Sequence, residues 1–345
     1  MKAMAAILVE SKKPLVLEEI EIPPLTFGQV LVKVLCTGIC GAQINEIDAV
    51  KGPDKFLPHL LGHEATAEVL EVGPCVKSVA PGDRVVMHWR KGAGIDAPAP
   101  KYASHRGTIN AGWVTTFNEA AVVSENRVTK VPANFDPESG ALMGCAVTTA
   151  FGVLNNNAHL KVGESIAIFG AGGVGLNIVQ GAAMVAAHPI IAIDLFDNKL
   201  ELAAKLGATH CINASKIDPE PEVLKIVGQA GVDVAIDNTG NVKVIEKAYR
   251  VTGARGRTIL VGVPPKGQQA SIYTLPLHFE KILKGSHGGD CRPEFDIPNY
   301  VRLCQAGKLN LKLLVGKRYR FEQINAAIDD MRSGRVAGRC LVHMG

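Results

Sequence analysis

The chain has 345 residues, which at roughly 150 residues per domain makes two domains with ample core and excludes a small disulfide scaffold. Apolar residues supply 47% and charged residues 20% of it, a globular and not a disordered composition. Lys plus Arg (37) against Asp plus Glu (33) leaves +4, too small a surplus to make nucleic acid or an anionic membrane the main partner.

The segment from Met1 to Val9 meets Glu10 with no long apolar core and no small-residue cleavage site, so no secretory signal is expected. No run reaches the roughly 20 uninterrupted apolar residues that span a bilayer, and the expectation is a cytoplasmic protein. Up to about residue 135 short β-type runs dominate: Leu15 to Ile22, Gln29 to Leu35, Ala65 to Val72, Asp83 to Met87 and Ala120 to Val123, separated by Pro and Gly turns. Arg90 to Gly112 shows no obvious element and carries Arg90, Lys91, Lys101 and Arg106 against Asp96 alone. It reads as a long functional or solvated loop, with a basic lining for a polar or anionic ligand. From about Lys161 the rhythm changes. Apolar strands at Ser165 to Phe169, Ile190 to Asp194, His210 to Asn213, Val232 to Asp237, Thr258 to Val261 and Ile282 to Ser286 alternate with helical stretches, the pattern of a doubly wound parallel sheet. Phe321 to Arg332 and Arg339 to His343 read as a helix and strand returning to the first domain. The fold class is α/β, a β-rich domain (1–146 and 288–345) interrupted by a Rossmann-type domain (147–287).

Gly170-Ala171-Gly172-Gly173-Val174-Gly175 follows a predicted strand and opens a predicted helix. In that context the first glycine allows the tight turn, the second lets backbone approach a pyrophosphate and the third lets helix pack on strand, while the exposed N–H groups face the phosphates. Asp194 ends the next strand about 20 residues further on, placed to accept from both ribose hydroxyls and to repel a 2′-phosphate, which favours NAD over NADP. Lys199 is a candidate for a supporting ribose contact.

The eight cysteines (36, 40, 75, 145, 211, 291, 304, 340) form no CxxC pair, which suits reduced thiols and leaves metal ligation or nucleophilic chemistry as their functional options. Cys40 sits in Thr37-Gly38-Ile39-Cys40-Gly41, His63 in Gly62-His63-Glu64, and Cys145 in Met143-Gly144-Cys145-Ala146. With Gly73, Gly82-Asp83-Arg84-Val85, the Gly170 to Gly175 loop and Val261-Gly262-Val263-Pro264-Pro265, the chain resembles the zinc-containing medium-chain alcohol dehydrogenase family over essentially its whole length. The resemblance implies a GroES-like catalytic domain and a catalytic zinc on Cys40, His63 and Cys145, with Glu64 as an occasional fourth ligand. Three protein ligands and an exchangeable position make a catalytic zinc site, where the metal acts as a Lewis acid on an alcohol or carbonyl oxygen. It also implies Trp89 as a wall of the substrate pocket, Arg339 as a pyrophosphate contact, and a homodimer or homotetramer. The apolar Ser271 to Leu277 is the candidate for strand pairing across a two-fold axis.

Four departures from the family pattern matter. No cysteine lies between Cys75 and Cys145, so the second, structural zinc of many members is expected to be missing. Gly41 stands where an arginine often contacts the cofactor phosphate. Ala42 and Asn45 replace the hydroxyl and imidazole of the usual proton relay, and Gln43 replaces an aspartate, with its carbonyl oxygen expected to support the His63 ring. The expected function is NAD-linked, zinc-dependent oxidation of an alcohol, with a polyol or sugar derivative as the expected substrate. The alternatives are a glutathione-adduct aldehyde dehydrogenase, a biosynthetic carbonyl reductase, or a non-catalytic zinc and nucleotide binder.

Overall fold

A computed structural model describes all 345 residues. They divide into two compact units, Met1–Cys145 with Arg292–Gly345, and Ala146–Cys291. No helix is long and apolar enough to cross a membrane.

The first unit is built on two β structures. Lys2–Leu8, Val16–Glu21, Lys101–Ser104, Gly107–Asn110 and His59–Leu60 close a small barrel. The second is a seven-stranded sheet whose central strand, Gln29–Gly38, pairs with Glu64–Val72, Ala120–Ser124 and Arg339–His343. Successive side chains of a strand point to opposite faces, and the sequence QVLVKVL uses both. Val30, Val32 and Val34 enter one core with Val69, Val85, Met87 and Phe117, while Leu31 enters the other with Ile7, Ile20, Tyr102 and Ile109. Ala120–Ser124 divides in the same way, Ala121 and Val123 to the first core and Ala120 and Val122 to the second. This packing fixes the register of the strands that carry the site.

The expected structureless loop from Arg90 to Gly112 is corrected by the structure. It contains the hairpin Lys101–Ser104 and Gly107–Asn110 that completes the barrel. Its two strands are four residues each, too short for the alternation to be read from sequence. Its charges are also largely engaged: Arg106 Nε donates to Glu18 at 2.6 Å, Lys91 to Asp96 at 2.9 Å, and the Arg90 guanidinium lies 5.7 Å from the Trp89 ring centre. The N-terminal strand Lys2–Leu8, not predicted as an element, pairs along its length with Val16–Glu21.

In the second unit six parallel strands run in the spatial order His210–Asn213, Ile190–Asp194, Ile166–Phe169, Val232–Asp237, Thr252–Leu260, Ile282–Gly285. Chain order reverses direction beside Ile166–Phe169, the switch point at which such sheets bind dinucleotides. The fifth strand begins at Thr252, six residues earlier than the apolar run suggests, because Thr252 pairs with Val232 before a bulge. Ser271–Leu277 is not a strand. It leads into a short 3-10 helix, Leu275–Phe279, and Ile282–Gly285 is one of the two edges of the sheet.

Candidate metal centre and dinucleotide site

Cys40 caps the start of the helix Gly41–Ile47, His63 lies in the loop just before the strand Glu64–Val72, and Cys145 lies in the π-helical turn Met143–Val147. Their ligand atoms all lie within 4.8 Å of one another. His63 Nε2 is buried without a hydrogen-bond partner, an arrangement that costs free energy unless an ion or other partner takes it. The Cys145 hydrogen bond holds the Cys40 thiol well below its usual range against the opposing effect of burial, with Arg339 and His63 assisting. Cys145, on the other side of that contact, is raised by Cys40 and by burial. Burial would lower the His63 pKa, but the Cys40 sulfur and Glu64 outweigh it and raise it. Two sulfurs and one imidazole that together favour a positive charge fit Zn²⁺.

Glu64, fully buried, faces Arg339 and not the ligand cluster alone: Arg339 Nη2 is 3.3 Å from Glu64 Oε1, and Nη1 donates to the Ile39 carbonyl at 2.9 Å. Burial would lower the Arg339 pKa, but Glu64, Cys40 and Cys145 raise it. The guanidinium reaches this place because Arg339–His343 pairs antiparallel with Gln29–Gly38, Leu341 opposite Gly38, and Ile39 N–H donates to the Cys340 carbonyl. Trp89 follows the strand Arg84–His88 one position beyond the His88–Glu64 pair, half-buried against the core. His88 beside it is fully buried, donates through Nδ1 to the Arg90 carbonyl at 2.7 Å, lies 2.9 Å from the Thr129 hydroxyl through Nε2, and is pushed down to about 4 by burial.

The expected Gln43 contact is corrected. Its carbonyl oxygen accepts from the Cys40 N–H at 3.1 Å, and its amide nitrogen, not its oxygen, faces His63 Nδ1. The helix cap claims the oxygen, a competition that composition does not reveal. Ala42 lies exposed on the same short helix and offers no hydroxyl.

In the second unit Gly170 has φ +93, open to glycine at no steric cost, and a Cβ on Gly175 would lie 1.9 Å from the Gly170 carbonyl oxygen. Helix Gly173–Met184 starts directly after this turn, its N-cap Gly172 giving no side-chain cap. A Cβ on Gly172 would meet nothing within 4 Å, which leaves the helix start open to a phosphate. Asp194 Oδ2 accepts from Ala171 N–H at 2.7 Å and Oδ1 from Leu195 and Phe196 N–H at 2.8 and 3.1 Å. Lys199 Nζ stands 3.9 Å from Oδ1 and 4.7 Å from the Phe196 ring centre. Sequence reasoning passed over Asp237-Asn238-Thr239-Gly240 at the next strand end. Asp237 accepts from the Thr239 and Gly240 N–H groups, and both amide atoms of Asn238 are buried without partners. The Asn-Thr-Gly run directly after an apolar strand was the available signal.

Residues 26–133 match the alcohol dehydrogenase GroES-like domain and residues 173–306 the zinc-binding dehydrogenase domain. An S-(hydroxymethyl)glutathione dehydrogenase of Escherichia coli O1:K1 is 33% identical over 365 aligned positions, covering 97% of this chain and 98% of the relative. The chain belongs to the zinc-containing medium-chain alcohol dehydrogenase family. Among solved structures of the family, an alcohol dehydrogenase zinc-binding domain protein from Burkholderia ambifaria superposes with a TM-score of 0.91 at 30% identity, covering 100% of this chain and 99% of the other. Benzyl alcohol dehydrogenase from Acinetobacter calcoaceticus gives 0.90 at 28% identity over 100% of both chains. The expected family, its GroES-like and Rossmann folds, and its character as a zinc-dependent oxidoreductase are thereby established for this chain.

Proposed function

We propose that the protein is an NAD-linked, zinc-dependent alcohol dehydrogenase whose preferred substrates carry a hydroxyl next to the one oxidised. The observation that carries the chemistry is the Cys40, His63 and Cys145 cluster, whose ligand atoms all lie within 4.8 Å of one another. Zinc held there supplies a Lewis acid for the reacting oxygen. Glu64 and Arg339 set the charge beside the ligands, Gly170 to Gly175 hold the pyrophosphate, and Asp194 selects the unphosphorylated ribose. Arg339, with its guanidinium already engaged by Glu64 and Ile39, is proposed as a pyrophosphate contact through its remaining N–H groups. Trp89, one register position past the Glu64 partner, is proposed as a wall of the substrate pocket.

Alcohol oxidation releases a proton that a positioned group normally carries, an effect of about 10²- to 10⁴-fold. Ala42 cannot carry it and Asn45 does not titrate. A vicinal hydroxyl on the substrate supplies the missing link and a second polar anchor. The name of the relatives makes a glutathione adduct the second reading, and two of the basic side chains of the 90–112 segment are already paired, Lys91 with Asp96 and Arg106 with Glu18. The comparison of kcat/KM for simple primary alcohols, vicinal diols, sugars and S-(hydroxymethyl)glutathione tests the reading. Diols and sugars should lead. Equal or better efficiency on a simple alcohol removes the substrate proposal.

The oligomer is proposed to form by pairing of the edge strand Ile282–Gly285 with a second copy, covering Tyr273, Leu275 and Phe279, which are more than half exposed. Sedimentation showing only monomer at working concentrations excludes it.

A further inference from the structure

We propose that Arg127, with Trp113 as its cover, is an oxyanion-binding site in the first unit and takes a phosphate or carboxylate group on its guanidinium. Such a site depends neither on the metal nor on which alcohol is oxidised. Arg127 ends the short 3-10 turn Glu125–Arg127 and is 5% exposed. Its guanidinium donates through Nη1 to the Trp89 carbonyl, while Nε is buried without a hydrogen-bond partner.

A buried guanidinium ordinarily stands against a carboxylate. Burial pushes the Arg127 pKa below its usual value, Asp96 opposes that shift and Arg90 adds to it. The Asp96 carboxylate is engaged elsewhere, with Lys91 Nζ at 2.9 Å and Asn126 Nδ2 at 3.1 Å. What stands over Arg127 is an indole. Its guanidinium carbon lies 5.1 Å from the Trp113 ring centre, and Trp113 is 64% exposed.

The cation and its cover are held differently. The turn that carries Arg127 is tied down, because the Glu125 carboxylate accepts from the N–H groups of Lys77, Ser78 and Ile95, and Asn126 N–H donates to the Ile95 carbonyl at 3.2 Å. Trp113 follows Gly112, where an added Cβ would meet only the Val114 carbonyl oxygen, 3.8 Å away. The chain there has room to turn. A cation–π contact beneath an exposed ring is weaker than a two-pronged, charge-assisted hydrogen bond to an oxyanion. An incoming oxyanion therefore displaces the ring and takes the guanidinium.

Both indoles hang from elements that carry the cluster. Trp89 follows His88, which pairs with Glu64, and Thr116, three residues past Trp113, donates its N–H at 2.9 Å to the carbonyl of Leu61, two residues before His63. That placement suits the charged end of a larger ligand as well as a free ion.

The chain has two tryptophans, and both touch Arg127, so the intrinsic fluorescence of the full-length zinc protein reports on the site. Sodium phosphate added at constant ionic strength should give a saturable change that sodium chloride does not give. Arg127→Gln should weaken binding by about tenfold or more, the loss of one charge-assisted hydrogen bond. Trp113→Ala removes the cover, keeps Trp89 as reporter, and should tighten phosphate binding about two- to fivefold, the weight of the cation–π contact. A sugar phosphate that binds more tightly than phosphate assigns the group to a larger ligand, and equal affinities assign the site to the free ion. No saturable change, an equal change with chloride, or an affinity that neither substitution moves overturns the inference. Where Arg127→Gln fails to fold, the Trp113→Ala protein decides, and unchanged or weaker binding by it overturns the inference.

Discussion

Arg339 and Glu64 form an ion pair of 3.3 Å with both side chains shut away from solvent, 2% and 0% exposed. They come from strands far apart in sequence and meet beside Cys40 and Cys145. Removing one partner of a buried pair leaves the other charged and unsatisfied, at a cost of about 3–5 kcal/mol. Glu64→Gln is therefore expected to lower unfolding free energy in urea by that order. The double variant Glu64→Gln, Arg339→Met should recover part of the loss, and additive losses in that double-mutant cycle would show the two residues uncoupled.

Metal content should be one zinc per chain. Cys40, His63 and Cys145 make the single group of His, Cys, Asp and Glu residues placed to hold an ion, and no cysteine lies between Cys75 and Cys145, where the barrel hairpin stands. Elemental analysis of Cys40→Ala, Cys145→Ala protein should find essentially none. Retention of a full equivalent contradicts the ligand assignment.

These two sites differ in how far the sequence discloses them. The glycine turn and Asp194 are local, with spacing and flanking strands in one short stretch: the turn joins Ile166–Phe169 to Gly173–Met184, and Asp194 ends Ile190–Asp194. The ligands come from three separate segments. They are recognisable through the family resemblance, and their approach to one another depends on strand register that no local pattern states. The pairing of Arg339 with Glu64 depends on a C-terminal strand laid beside Gln29–Gly38, and the direction of the Gln43 amide on a helix cap. The barrel hairpin at 101–110 escaped because four-residue strands hold too few positions to show a period.

Cofactor choice should follow Asp194. Its carboxylate is pinned by three backbone N–H groups, which hold it at the end of the strand beside the proposed ribose site. Asp194→Gly is expected to narrow the ratio of kcat/KM for NAD over NADP, and also to lower thermal stability because the three donors lose their acceptor. A wild type that prefers NADP, or an unchanged ratio in a folded variant, excludes the carboxylate as selector.

His88 makes stability depend on pH. Burial lowers its pKa from 6.5 to about 4, so the unfolded chain binds the proton first as pH falls. The stabilisation is complete above 6.5 and is lost as pH drops toward 4, by roughly 3 kcal/mol for this group. Urea unfolding at a series of pH values should show that decline, and His88→Asn, lower in stability at neutral pH, should flatten it. A slope unchanged by the substitution assigns the decline to other groups.

The most direct test of the central claim is the formation of NADH, followed by its near-ultraviolet absorbance, when a vicinal diol or sugar panel is added to protein and NAD before and after zinc is stripped and restored. The account predicts turnover with the zinc-loaded protein, loss on stripping and return on restoring zinc. No NADH with any alcohol, or turnover that persists in full without the metal, would contradict it.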